Sequence, residues 1–292
     1  MSPYSQALQY VISGLISGSI YAIVALGFSI IHNATGIINF AQGEFVMLGA
    51  LLMVTLTAHL PTAAAFTLAV GGTVLVGAVL ERLAIRPARG GSVITLVIIT
   101  IGASIVLRGA AMIIWGTDPL PLTPFSEGAP IMVAGAVIVR QGLWVLGVTV
   151  GLVILLQLFY ECTLLGKAMR ACAINRQAAR LVGIGVDRMV LGSFALSAGL
   201  GAVAGIIIAP FNGAAFDMGM MLGLKGFCAA ILGGLGSGTG AILGGFTLGV
   251  LEKLGAGYVS SAYENAIAFF VLLLILFVRP AGLLGRARRG DS

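Results

Sequence analysis

Polar positions along this chain fall in short islands between long apolar runs. A helix needs roughly 20 apolar residues to cross the hydrocarbon core of a bilayer. Nine runs approach that length, at approximately 7–31, 37–58, 61–81, 93–115, 141–160, 189–210, 221–235, 239–258 and 262–278. The second follows a polar break, His32-Asn33-Ala34-Thr35-Gly36. The seventh is short and leads into the Gly-rich stretch GGLGSGTG at 233–240. Either reads as a whole or a broken span. The pattern therefore predicts an all-α polytopic integral membrane protein, one domain over 1–292, with eight or nine transmembrane helices. No repeat of fixed period is visible. Two interrupted, Gly-rich segments do stand one in each half, at 32–44 and 233–245. In transporters, paired interruptions of this kind mark the binding region near the middle of the membrane.

Composition agrees. The chain is 59% hydrophobic and 9% charged, with a mean hydropathy of +1.10. So few charges cannot cover a water-facing surface, so much of the surface meets lipid. The 43 glycines then read as close-packing positions between membrane helices. The net charge of +6 does not point to nucleic acid, because the basic residues sit in loops between apolar runs. Cys162, Cys172 and Cys228 form no CxxC pair, so neither a disulfide framework nor a metal site is expected. The first ten residues, MSPYSQALQY, carry no basic stretch and no cleavage site, so the first run is expected to be a retained span.

Orientation follows from Lys and Arg. Arg82, Arg86 and Arg89 share one loop. Lys167, Arg170, Arg176, Arg180 and Arg188 lie in or beside a second, and Arg279, Arg286, Arg288 and Arg289 lie at the C-terminal end. These are twelve of the sixteen basic residues, so all three segments are expected in the cytoplasm. The loop at about 116–140 and the one at 211–220 then lie outside. Nine crossings put the N-terminus outside and the C-terminus inside.

Three segments carry candidate chemistry. Residues 166–189, GKAMRACAINRQAARLVGIGVDRM, are too polar to cross lipid and rich in helix formers. They predict one helix, with Arg176 and Arg180 on a common face and Gly183 and Gly185 at its end. As a pattern it suits an ordinary solvated basic loop and a helix docked in another protein's groove equally well. The second segment, INFAQGE, places Asn39, Gln42 and Glu44 among apolar neighbours. A carboxylate there is costly and so a functional candidate. These residues would line the translocation path or meet a substrate ammonium. Alternatively they would satisfy the broken backbone and bond a neighbouring helix. The third segment, GGLGSGTGAILGG, lacks the Lys of a phosphate-binding loop. Gly233, Gly234, Gly236, Gly240, Gly244 and Gly245 instead suit two helices meeting around a short turn. Lys225, Glu252 and Lys253 are expected near span ends, their stems reaching the interface. Arg108 is expected to do the same.

Several of these stretches resemble one family. CTLLGKAMRACAINRQAARLVGIGVDRMVLGSFALSAGLGAVAG at 162–205 is similar to the cytoplasmic loop and following helix of the branched-chain amino acid ABC importer permeases of the LivH type. INFAQGEFVMLGA at 38–50, RPARGGSVITLVIITIGASIVLRG at 86–109 and GGLGSGTGAILGG at 233–245 also resemble that family, in the right order over nearly the whole chain. The family motif often has His where this chain has Gln42. The resemblance implies a permease subunit in the cell inner membrane that carries branched-chain or other hydrophobic amino acids. It implies a heterodimer with a second homologous permease, two cytoplasmic ATPase subunits that hold ATP and Mg, and an external solute-binding protein. The chain itself would bind no cofactor. The loop at about 162–188 would hold a coupling helix seated on an ATPase, with Gly166, Lys167, Arg170, Ala171, Asn175, Ala178, Ala179 and Gly183 as its core.

Other classes fit less well. A standalone secondary transporter or channel needs coupling carboxylates deep in the spans, and only Glu44 and Glu264 are fair candidates. An intramembrane enzyme is disfavoured: His32 and His59 form no HExxH motif. Related permeases for urea, amides or other amino acids keep the substrate open.

Overall fold

The computed structural model describes residues 3–279 and 281–285; Arg286, Arg288 and Arg289 lie outside them. Each of the nine apolar runs becomes a helix. These are α1 (Pro3–Thr35), α2 (Gln42–Thr57), α3 (Thr62–Leu80), α4 (Val93–Trp115), α5 (Arg140–Cys162), α8 (Val186–Asn212), α9 (Met218–Gly233), α10 (Gly238–Tyr258) and α11 (Glu264–Val278). Two short helices, α6 (Leu164–Ile174) and α7 (Arg176–Leu181), occupy the polar loop between α5 and α8. A small hairpin, β1 (Ile131–Val133) and β2 (Ala136–Ile138), lies in the loop between α4 and α5.

Among the described residues, six helices are individually long and apolar enough to span. The α9–α10 pair, bent by 118° at its break, raises the number to at most seven, and α2 is a shorter apolar helix of 16 residues. Three boundaries differ from the sequence reading. The polar residues His32 to Thr35 do not break α1, which continues through them and ends where Gly36 takes a φ of +75°. The second apolar run does not become helical until Gln42, leaving Ile37–Ala41 as irregular backbone. Arg82 is not in a loop either. The α3 helix runs on through a π turn, Glu81–Ile85, with Glu81 buried.

The helices sort by burial. In α1, 83% of the most apolar stretch is buried, against 17% in α4 and 6% in α11. Thus α1, α2, α8, α9 and α10 form the centre, while α3, α4, α5 and α11 turn large apolar side chains such as Ile105, Leu155 and Phe277 outward. In water this surface would drive aggregation, but in hydrocarbon it is the ordinary exterior.

Small residues set the spacing of the centre. Gly14 and Gly18 of α1 meet the backbone of α10 at Gly249–Val250 and Gly245–Phe246. Gly201 and Gly205 of α8 meet α2 at Phe45 and Val46, where an added Cβ would press on the Phe45 side chain and collide with the Val46 carbonyl, respectively. Each pair is four residues apart and so lies on one helix face. Between apolar helices in lipid, such backbone proximity supplies the packing that hydrophobic exclusion cannot.

Contacts between loops divide the molecule into two poles. At one, Gln9 bonds the backbone of Val137, Trp115 bonds Thr55, and Leu120 pairs with Ala214. At the other, Asn33 bonds the Gly236 carbonyl, Arg89 pairs with Asp187, and α6 and α7 pack.

Candidate coupling surface and intramembrane polar sites

The polar loop forms two helices where one was expected. Asn175 breaks the segment with extended backbone, and its side chain accepts hydrogen bonds from the Gln177 and Ala178 amides, capping α7. Asn is a strong N-cap because its short side chain reaches these otherwise unpaired donors. Thr163 caps α6 in the same way through the Gly166 amide. Gly183, at a φ of +86°, turns the chain just after α7, a conformation that costs other residues a Cβ clash.

The eight loop residues singled out in the sequence divide by environment. Gly166 and Ala179 are buried. A Cβ on Gly166 would strike the backbone of Phe159 and Tyr160, so glycine lets α6 fold back on α5. Lys167, Arg170, Asn175, Ala178 and Gly183 are exposed and Ala171 half-buried. Beside them Ile174, Leu181 and Val182 are 75–87% exposed. Basic and large apolar side chains thus share one surface at this pole.

Behind that surface lies a cavity of about 480 Å³. Met169, Arg170 and Ala173 of α6 form part of its wall, with Ser29 and Asn33 of α1 and Gly236 of the α9–α10 turn. A displacement of α6 would therefore change the shape of a space that reaches α1.

Asn39, Gln42 and Glu44 come together at the irregular start of α2, all at most 1% exposed. Asn39 Oδ1 accepts from the Ala41 amide. The Gln42 amide donates to the Ser197 carbonyl at 3.2 Å, and Ser197 Oγ donates to Gln42 Oε1 at 2.6 Å. Thr100 Oγ1 accepts from the Phe40 amide. Glu44 Oε1 accepts from Ser104 Oγ at 2.7 Å and from Arg108 at 3.4 Å. Ser104 and Ser197 stand near the middles of α4 and α8, so the irregular backbone returns well inside the helix bundle before α2 starts. Backbone of this kind is stable at membrane depth only when its polar groups find protein partners, which these side chains supply. Arg108 does not run to an interface: it reaches Glu44.

The Gly-rich turn is a tight one. Gly233 and Gly240 face each other across it, Gly244 meets the Ala229 carbonyl, and Gly245 meets Ala22 of α1. Gly234 and Gly236 have φ of +101° and +89°.

A second polar site was misread in the sequence. Lys225 and Glu252 are buried and paired at 2.9 Å rather than extended to an interface. Tyr21 of α1 donates to the same Glu252 oxygen at 2.9 Å. Lys253 pairs with Glu264 at 2.6 Å, about 30% exposed. The available signal was their position: Lys225 and Glu252 lie inside apolar runs, where an ionisable side chain marks a partner or a function. This site adjoins a cavity of about 460 Å³ at the pole that carries the β hairpin. Along α1 that cavity ends at Tyr21 and the other begins at Leu26. Between them Ala22 to Ala25 are fully buried, a separation of about 7.5 Å at helical rise.

An apolar helical shell around a glycine-packed centre, with mainly apolar cavities that hold a few polar side chains entering from both poles, is the architecture of a multi-pass membrane permease. A model of the branched-chain amino acid transport system permease component matches residues 10–278. The high-affinity branched-chain amino acid transport system permease protein LivH of Salmonella typhimurium is 35% identical over 96% of each chain. LivH of Escherichia coli K12 is 34% identical, and BraD of Pseudomonas aeruginosa 36%, again over 96% of each chain. The chain belongs to the branched-chain amino acid transport permease family. It is a permease subunit of an ABC importer, a transport component rather than an enzyme.

Proposed function

We propose that this chain forms part of the membrane path for leucine, isoleucine and valine in the cell inner membrane, paired with a second homologous permease. The family match over residues 10–278 carries the reading. Two cytoplasmic ATPase subunits, holding ATP and Mg, engage α6 and α7, and an external binding protein delivers substrate. The mixed basic and apolar surface of α6 and α7 supports the ATPase contact, because such a surface suits a protein groove. A rigid-body shift of α6 would then reach the cavity behind it. The basic residues of these loops support a cytoplasmic position for α6, α7 and the C-terminus.

Purification of the native complex tests the assembly. The expected result is co-purification with ATPase subunits and a second permease, and uptake that requires ATP. Uptake without ATP, or a complex lacking ATPase subunits, overturns it. Binding of a panel of amino acids, amides and urea to the external protein tests the substrate. Topology reporters at residues 125 and 175 should report opposite sides.

A further inference from the structure

The cavity behind α6 changes character along the helices that wall it. Its lining runs from Leu26 to Ala34 on α1 and from Val153 to Glu161 on α5, about 12 Å on each at helical rise. Both stretches run toward the helix ends at this pole, Thr35 and Cys162. Leu26 and Val153 lie deepest, and α10 adds Ile242. One turn nearer the ends stand Ser29 and Gln157, and at the rim Asn33, Glu161 and Arg170 of α6. Ser29 is 2% exposed, and its Oγ has no hydrogen-bond partner among the described residues. A buried hydroxyl of this kind marks a missing partner. The Arg170 guanidinium lies 6.0 Å from the Tyr160 ring centroid and has no ion-pair partner among the described residues. Helices α5 and α10 both pack on α1 but hardly on each other, and their outer faces carry Leu155, Leu158 and Leu243. The cavity thus occupies a seam between helices that face lipid.

We infer that this seam is a binding site for one phosphatidylethanolamine molecule. The order of the lipid's parts matches the order of the walls. An acyl chain lies along Leu26, Val153 and Ile242, out of contact with water. Ser29 Oγ donates to an ester carbonyl. At the rim Arg170 takes the phosphate through a charge-assisted bond, and Glu161 takes the ammonium. Cationic side chains between membrane helices recognise lipid heads in this way. A water-soluble solute of the same charge leaves the apolar depth unfilled. The rim charges of Arg170 and Glu161 sum to zero, so a zwitterionic head is matched and an anionic head meets an unpaired carboxylate. Met169 and Ala173 of α6 share the wall, so the bound lipid ties α6 to α1 and α5. This lipid is neither the solute carried nor part of its path.

The test uses the full complex in nanodiscs of phosphatidylethanolamine and phosphatidylglycerol. A phosphatidylethanolamine with a diazirine in one acyl chain is photolysed, and the labelled peptides are mapped by mass spectrometry. The expected label concentrates on the cavity residues of α1, α5 and α10 rather than on the outward face of α4. Excess phosphatidylethanolamine competes with it, and glycerophosphoethanolamine, the head without its chains, does not. A phosphatidylglycerol probe labels the cavity more weakly. R170M lowers the cavity label about tenfold. E161Q lowers it about threefold and removes the preference over phosphatidylglycerol. Both side chains are exposed, and unchanged label on α4 shows that the variants keep the fold. Label spread evenly over the cavity and the outward faces overturns the site. Competition by glycerophosphoethanolamine replaces the lipid by a soluble phosphate and overturns it. Displacement by leucine assigns the cavity to the transport path and overturns it as well. Equal labelling by the two lipid probes overturns the ethanolamine head. Each of these outcomes leaves the permease reading standing.

Discussion

The Ser104 hydroxyl of α4 donates to the buried Glu44 carboxylate of α2 at 2.7 Å. Helix α4 is largely exposed and touches the centre chiefly through α2. This hydrogen bond and the adjoining Arg108 contact act with the Thr100–Phe40 and Trp115–Thr55 bonds to hold α4 against α2. Replacing Glu44 by Ala removes the acceptor that Ser104 and Arg108 share and leaves Ser104 only its contact with Arg108. The expected cost is about 1–3 kcal/mol, read as a lower unfolding temperature in detergent, with Ser104→Ala costing less. An unchanged midpoint in Glu44→Ala would show that these bonds do not hold α4.

Glycines on the same protein should differ sharply. A Cβ on Gly205 would collide with the Val46 carbonyl, whereas nothing lies within 4 Å of a Cβ on Gly71. Gly205→Ala is expected to cost about 1–3 kcal/mol as α8 is pushed from α2. Gly71→Ala is expected to be neutral or to stabilise by up to about 1 kcal/mol, from helix propensity alone. Thermal unfolding of the two variants side by side checks the contrast.

Asn175 is the cap on which α7 depends. Asn175→Ala should lose about 1 kcal/mol of local stability and Asn175→Asp little. Hydrogen exchange over 176–181 should speed up in the first variant only. If α7 seats on an ATPase as proposed, substrate-stimulated ATP hydrolysis falls with it while membrane insertion is retained. Equal exchange in both variants would remove the cap from the account.

Cys162 is exposed, and Cys172 is buried in the short-helix pair. Burial pushes the Cys172 thiol above its ordinary pKa, leaving less of the reactive thiolate at neutral pH. A maleimide is expected to label Cys162 faster than Cys172, and raising the pH should narrow the gap. An impermeant reagent should reach Cys162 in inverted vesicles and not in right-side-out ones. Labelling from the outer face would reverse the orientation of α5.

What the sequence determined by itself was the set of apolar segments and their class. A run that cannot be solvated by water must be helical in lipid, and each of the nine runs is a helix. Glycine spacing also pointed correctly to tight packing, since only glycine permits the Gly233–Gly240 approach. Helix ends were less legible. His32 to Thr35 are polar yet remain helical, because Asn33 finds the Gly236 carbonyl 203 positions away. The polar sites were decided only by tertiary structure. In sequence, Lys225 and Glu252 are two isolated charges 27 residues apart, and their place inside apolar runs asks for a partner without naming it. The 118° bend between α9 and α10 turns them toward each other and toward Tyr21. Burial then makes pairing obligatory, because in a low-dielectric centre neither charge is stable without the other.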